Sequence, residues 1–471
     1  MNTNYAIRWD ADELRTRFCL AMSEMYRGEV PLYGDLVRIV REVDDTVLES
    51  QGKDPQALPA RHHLERHGAI RLGSEYELRM IKRLFALLGM SPVGYYDLSI
   101  VGFPLHATAF RPITEESLKK NPFRVFVSVL RKDLIPEDIQ ASLEDILRKR
   151  ELFSLRLLGL MSRAEAKERM TKQEAGDLIT ESLKIFKWHS RSSVPIDDYL
   201  RLKKEHMMIA DIVCFPSAHI NHLTPRTLDI DLVQAEMVRQ GLPAKERIEG
   251  PPGRKCQILL RQTSFKALEE KVEFHGASGE SVSGTHTARF GEVEQRGAAV
   301  TPKGRALYDE LLAAAHQRAA DDGKDFDTAL KETFAAYPDT WSGLRENRLV
   351  YFRYSVTESG REHAAQNKIK SQASANVENL VRDGFVEFEP ITYEDFLPLS
   401  AAGIFKSNLG GGDVRASDRK EGGDGMLAFE ETLGCRVNEP FALYRELQER
   451  SLSECAAAFW PGAFSAGVAG T

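Results

Sequence analysis

Residues 217–226 read Ser217-Ala-His219-Ile-Asn-His222-Leu-Thr-Pro-Arg226, and the chain runs on through Asp229 to Arg239-Gln-Gly241-Leu. Ala218–Leu223 is predicted as a strand, and Asp229–Gly241 as a helix closed by a glycine C-cap. Residues three apart on a strand face opposite sides, so His219 and His222 address different cavities.

Two other segments pair metal-capable side chains with strand context. Glu65-Arg-His67-Gly-Ala-Ile-Arg71 lies upstream, and Arg289-Phe-Gly-Glu292-Val-Glu294-Gln-Arg296 lies downstream. Two imidazoles and one carboxylate on one face of Fe(II) leave three positions open for a bidentate 2-oxo acid and dioxygen. Glu292, Glu294 and Arg296 share a face at strand period two, so periodicity alone leaves both acids open as the third ligand. Arg71, four residues after His67, falls on the same side as His67 on either a helix or a strand, and its planar fork suits a carboxylate. For Arg111, Arg226 and Arg296 an ion pair with a nearby acid is the expected state. A local His63-Leu-Glu65 is a weaker metal motif in a polar helical or loop stretch.

The chain has 471 residues, 42% hydrophobic and 28% charged, enough for a large core. Lys and Arg (63) against Asp and Glu (70) give a net charge of −7, which argues against general nucleic-acid binding. Five cysteines without a CxxC pair favour a reducing cytoplasm over a disulfide scaffold. The N-terminus has no apolar signal core. The weakly charged stretch Leu84–Leu105 is interrupted by Pro92, Asp97 and glycines, so no membrane helix is expected.

Helices are expected over Asp10–Met25, Tyr33–Glu49 and Ser74–Leu88, and after the Thr301-Pro cap. Strands are expected at Gly94–Phe103, Phe123–Leu130, Ile209–Phe215, Gln257–Ser264, Lys271–His275, Gly284–Gln295, Leu349–Val356 and Phe385–Glu389. Residues 410–425 are glycine-rich and expected to form a mobile loop.

The segment His222-Leu-Thr through its helix resembles the opening unit of a vicinal oxygen chelate module. Glu292-Val-Glu-Gln295-Arg296 resembles the last strand of dioxygenases in that superfamily, which favours Glu292 over Glu294 as ligand. The wider series is similar to the 2-oxoadipate dioxygenase/decarboxylase (2-hydroxyglutarate synthase) family over nearly the whole chain. It comprises His67-Gly-Ala-Ile-Arg71, Thr108-Ala-Phe-Arg-Pro-Ile113, His219 to Arg226, Glu292 to Gly297, and Glu394-Asp-Phe-Leu-Pro-Leu-Ser-Ala-Ala-Gly-Ile-Phe405. The resemblance implies an Fe(II) enzyme of lysine breakdown that turns 2-oxoadipate and O2 into 2-hydroxyglutarate and CO2. It implies His67, His222 and Glu292 as iron ligands and Arg71 as the carboxylate-binding residue. Leu399, through its backbone N–H, and Ser400 would also contact the substrate.

The expected fold is α+β: a curved mixed β-sheet of vicinal oxygen chelate type, built from N- and C-terminal strands and forming a metal cup, with helices and helical insertions around it. The expected parts are an N-terminal α/β region 1–136 with His67 and Arg71, a helical insertion 137–205, and a chelate-type β module 206–300 with His222 and Glu292. A second helical insertion 301–345 and a C-terminal region 346–471 with strands, substrate loop and tail complete the chain. Expected partners are a small 2-oxo dicarboxylate and O2, with no nucleic acid and no membrane, in the cytoplasm. Two rivals remain. One is a chelate-fold isomerase or lyase that acts on another 2-oxo acid without O2. The other is a winged-helix DNA-binding protein, from the phrases Val300-Thr-Pro-Lys-Gly-Arg305 and Val356-Thr-Glu-Ser-Gly-Arg361.

Overall fold

The computed structural model of the chain describes residues 10–166, 170–276, 278–366, 377–397 and 423–459. It divides into two compact units. The first comprises residues 1–250, 261–295 and 395–438; the second comprises 251–260, 296–394 and 439–471.

Twelve strands occur among the described residues: β1 Arg66–Leu72, β2 Ser91–Asp97, β3 Leu105–Arg111, β4 Arg124–Leu130, β5 Arg191–Pro195, β6 Leu223–Pro225, β7 Leu260–Ser264, β8 Leu268–His275, β9 Ser281–Arg289, β10 Glu292–Arg296, β11 Phe352–Val356 and β12 Val386–Pro390. In the first unit an open mixed sheet has the order β2-β3-β4-β1-β6, with β1 parallel to β4 and antiparallel to β6. A β7–β10 ladder and a β5-β8-β9 sheet accompany it.

The helices behave as their apolar spacing dictates. Ala11–Glu29 buries Leu14, Phe18, Met22 and Tyr26, one residue every turn. Ser74 caps Glu75–Leu87 through a reciprocal capping box with Glu77, and the helix buries Leu78, Ile81, Leu84 and Phe85. These side chains join Ile70, Leu72 and Val125 in one core, which holds β1 and β4 from one side. The Tyr26 hydroxyl shares its proton between the carbonyls of Asn221 (2.9 Å) and Phe290 (2.7 Å), tying the helix to the two segments that carry His222 and Glu292.

The second unit contains the antiparallel β11–β12 pair and helices that include Pro302–Asp322 and Pro440–Phe459. Thr301 and Thr357 each accept a hydrogen bond from the backbone N–H three residues on, so both winged-helix-like phrases are capped helix starts.

The α+β class holds, but several local expectations do not. The C-terminal strands β11 and β12 pair with each other rather than joining the main sheet. Ile209–Phe215 is not a strand: Met207–Val213 is a helix, capped by the His206 ring and buried from Met208 onward. A short apolar run carries no period that separates a strand from a buried helix. Ala218–Leu223 reaches strand geometry only at Leu223, because its backbone groups serve single partners. Ile220 N–H bonds the Phe186 carbonyl and Asn221 N–H that of Ala69. The all-helical reading of 137–205 misses β5, which pairs with β8. Gly284–Gln295 is two strands broken at Gly291, where a Cβ would sit 2.1 Å from the Phe265 ring. Leu399, Ser400 and residues 410–422 lie outside the described residues, while Gly423 opens the helix Gly423–Leu433. Among the described residues, no helix is long and apolar enough to cross a membrane.

Candidate metal centre

β1 is the middle of the site. Its neighbours in register with His67 are Arg124 on β4 and Thr224 on β6. Side chains at paired positions project to the same side of a sheet, so this row presents an imidazole flanked by a cation and a hydroxyl. Gly68 lets the 220–222 segment lie against β1: a Cβ there would be 2.5 Å from Ile220 Cδ1 and 2.7 Å from the His222 carbonyl oxygen. Only glycine tolerates so close a backbone approach.

β10 brings its two acids to this row. Glu292 Oε1 lies 2.7 Å from His67 Nε2, 3.0 Å from the Thr224 hydroxyl that donates to it, and 3.8 Å from His222 Nε2. His67, His222 and Glu292 are all buried, and one ligand atom from each falls within 4.8 Å of the others. Among the described residues, no other group of three or more His, Cys, Asp or Glu side chains converges in this way. Glu294 is held differently: Arg124 grips it through two nitrogens at 3.1 and 2.7 Å. Its Oε1 sits 3.2 Å from His67 Nδ1, close enough for a Coulombic attraction to the ring. His67 therefore stands between the two acids. Phe290 stacks on the His222 ring at 4.8 Å, and Phe396 meets His67 edge-on at 5.0 Å, so the walls are apolar.

The protonation states of two of the three donors suit a cation. Burial opposes the Glu292 charge, but His222, His67 and Thr224 overcome it and hold the carboxyl down at about 2. Burial pushes the His222 imidazole down to about 3, so it is neutral. For His67 burial works against the proton, yet Glu294 and the hydrogen bond to Glu292 lift the ring net above its ordinary value. Among the described residues, Glu292 Oε2 and His222 Nδ1 have no hydrogen-bond partner, which is costly in a dry site without a ligand. Buried, with one ionised oxygen donor and two imidazoles, this set fits a divalent transition metal.

The other expected residues within the described part of the chain have these positions. Arg71 lies on the same face of β1 as His67, is buried, and donates to Asp211 Oδ2 at 2.5 Å. His219 stands apart from the triad, with Nε2 3.2 Å from Asp211 Oδ1 and its ring against Trp188. The local His63-Leu-Glu65 does not assemble: His63 is exposed, whereas Glu65 pairs with Arg61 and Arg226. Arg111 pairs with Asp395 and Arg296 with Glu394, so these guanidiniums have the ion pairs expected of them. Sequence reasoning passed over Thr224, Arg124 and Asp211. Only Asp211 left a signal, as a lone acid inside the apolar run Met207–Phe215.

A family model described as 2-oxoadipate dioxygenase/decarboxylase matches residues 18–408. The 2-oxoadipate dioxygenase/decarboxylase of Escherichia coli K12 is 48% identical over 454 residues, covering 94% of this chain and 98% of that protein. Its counterpart in Pseudomonas putida is 46% identical over 458 residues, covering 95% and 97%. The crystal structure of hydroxyglutarate synthase from Pseudomonas putida in complex with 2-oxoadipate superposes with a TM-score of 0.84. It shares 44% identity, covering 96% of this chain and 99% of that one.

Proposed function

This chain belongs to the 2-oxoadipate dioxygenase/decarboxylase family, and on that premise we propose that it converts 2-oxoadipate and O2 to 2-hydroxyglutarate and CO2, in lysine breakdown, with Fe(II) held by His67, His222 and Glu292. The observation that carries this reading is the buried convergence of those three side chains, drawn from distant parts of the chain.

When bound, Fe(II) supplies chelation of the 2-oxo acid and redox activation of dioxygen. The chain's own contribution is to prepare the donors and hold the substrate. Glu292 is ionised and His222 neutral before any ligand arrives, so two of the three donors need release no proton. Thr224 fixes one Glu292 oxygen by its hydroxyl hydrogen bond. Phe290 and Phe396 cover the two imidazoles with ring carbon and keep water from that side. Arg71 binds the far carboxylate, and its position on the His67 face of β1 directs a dicarboxylate along one line. Leu399, through its backbone N–H, and Ser400 complete the substrate contacts in this reading. The overall reaction conserves charge, because a dianionic 2-oxo acid becomes a dianionic hydroxy acid and CO2. No side chain is therefore needed as a net proton donor.

Oxygen uptake by the iron-loaded enzyme on addition of 2-oxoadipate tests the reading, with CO2 and 2-hydroxyglutarate expected in equal amounts. Turnover of 2-oxoadipate without oxygen consumption would instead select the isomerase or lyase alternative.

A further inference from the structure

Behind Arg71 lies a second buried polar cluster that the proposed chemistry does not use. Asp211, on the helix Met207–Val213, is 2% exposed, yet it carries an ionised carboxylate in an otherwise apolar helix. Its Oδ2 accepts from Arg71 Nη1 at 2.5 Å. Its Oδ1 accepts from His286 Nε2 at 2.9 Å and faces His219 Nε2 at 3.2 Å. The other ring nitrogen of His286, Nδ1, lies within hydrogen-bond distance of the Tyr199 hydroxyl at 3.0 Å. Trp188 closes the cluster, edge-on to His219 and parallel to His286.

A buried charge in a helix whose neighbours are Ile209, Ala210, Ile212 and Val213 is expensive, and a simple core would place a hydrocarbon there. Burial opposes the Asp211 charge, but Arg71 and the two imidazoles hold the carboxyl well below its ordinary range. Three elements thus converge on one carboxylate: β1 through Arg71, β9 through His286 and the 217–222 segment through His219. Such bracing fixes where the carboxylate sits, and the short bond to Nη1 then fixes the plane of the guanidinium. A planar fork recognises a carboxylate only when its plane is set.

We propose that Asp211 is the positioning residue for Arg71, orienting its guanidinium toward the far carboxylate of the 2-oxo dicarboxylate, with His286 and Tyr199 bracing Asp211 in turn. This rests on the reading of Arg71 as the carboxylate-binding residue. Asp211 touches no reacting atom, so its effect falls on discrimination between substrates rather than on the chemistry common to them.

The test compares 2-oxoadipate with 2-oxohexanoate, which has the same 2-oxo acid head and a methyl group in place of the far carboxylate. Preference is the ratio of kcat/KM values, or of inhibition constants where 2-oxohexanoate turns over too slowly. Asp211→Asn should reduce the preference for 2-oxoadipate about ten-fold or more while the bound iron per chain stays at the wild-type value. A purely structural role would depress both ligands together, and an unchanged preference in a folded, iron-replete Asp211→Asn overturns the proposal. If that variant does not fold, His286→Gln takes its place: it leaves the Arg71–Asp211 pair intact, and a several-fold loss of preference is expected. An unchanged preference there overturns the proposal equally. Arg71→Ala separates the two layers of the argument. If it leaves the preference intact, the reading of Arg71 has failed. If it abolishes the preference while Asp211→Asn does not, only the positioning role has failed.

Discussion

His67 Nε2 and Glu292 Oε1 lie 2.7 Å apart although 225 positions separate them in the chain. The contact depends on β1 and β10 belonging to different ladders that meet at one buried point, so the site forms only after both have folded.

His67→Ala, His222→Ala and Glu292→Ala are each expected to retain the far-ultraviolet circular dichroism of the wild type while losing bound iron. Loss of a ligand should exceed the roughly 10- to 100-fold affinity penalty typical of removing a supporting outer partner. Metal analysis after anaerobic loading checks this, and wild-type iron content in any one variant removes that residue from the ligand set.

Glu294→Gln separates the two acids of β10. The substitution leaves the fully buried Arg124 without its carboxylate, so unfolding by urea should show a loss of about 3–5 kcal/mol. Iron should still bind at one per chain, because Glu292 is untouched. Loss of iron with unchanged stability would reverse the two roles.

Gly68→Ala tests how closely β1 and the 220–222 segment must approach. The new methyl group would meet the His222 carbonyl oxygen at 2.7 Å, and backbone cannot swing aside as a flexible side chain can. A destabilisation of about 1–3 kcal/mol is expected, with weakened metal binding as His222 is pushed away. Cobalt(II) titration followed by visible absorption would show the second effect separately from the first.

His106 should govern part of the acid sensitivity of the fold. Burial, with Arg131 nearby, pushes its imidazole down to about 4, whereas the unfolded chain takes up the proton near 6.5. The stability associated with the neutral ring is therefore present above pH 6.5 and is lost as pH falls from 6.5 toward 4. His106→Gln should lose less stability than the wild type over that window, by up to about 3 kcal/mol. Urea midpoints at pH 7 and pH 4 measure it, and parallel losses in both proteins would refute it.

Much of the local structure was legible from neighbouring residues. The Asp10, Ser74, Thr301 and Thr357 caps all stand where a side-chain oxygen can take an orphan N–H, and that chemistry is local. Met207–Val213 was not legible as a helix, because a run buried on every side shows no period. β11 and β12 were expected in the main sheet but pair with each other, because strand propensity carries no information about which partner a strand finds.

By itself the sequence determined the kinds of groups available: two separated histidines, a Glu-x-Glu strand and an arginine four residues beyond the first histidine. Strand periodicity alone could not choose between Glu292 and Glu294, since a strand repeats every two residues and both acids share a face; the likeness of Glu292-Val-Glu-Gln295-Arg296 to a family motif is what favoured Glu292. Tertiary structure sets the two acids in different surroundings through the neighbours of His67. Thr224 on one side donates to Glu292, and Arg124 on the other grips Glu294. Glu292 keeps one oxygen with no hydrogen-bond partner and open to a cation, whereas a guanidinium neutralises Glu294. Strand pairing places those two flanking groups, and pairing is a property of the folded chain rather than of any short stretch of it.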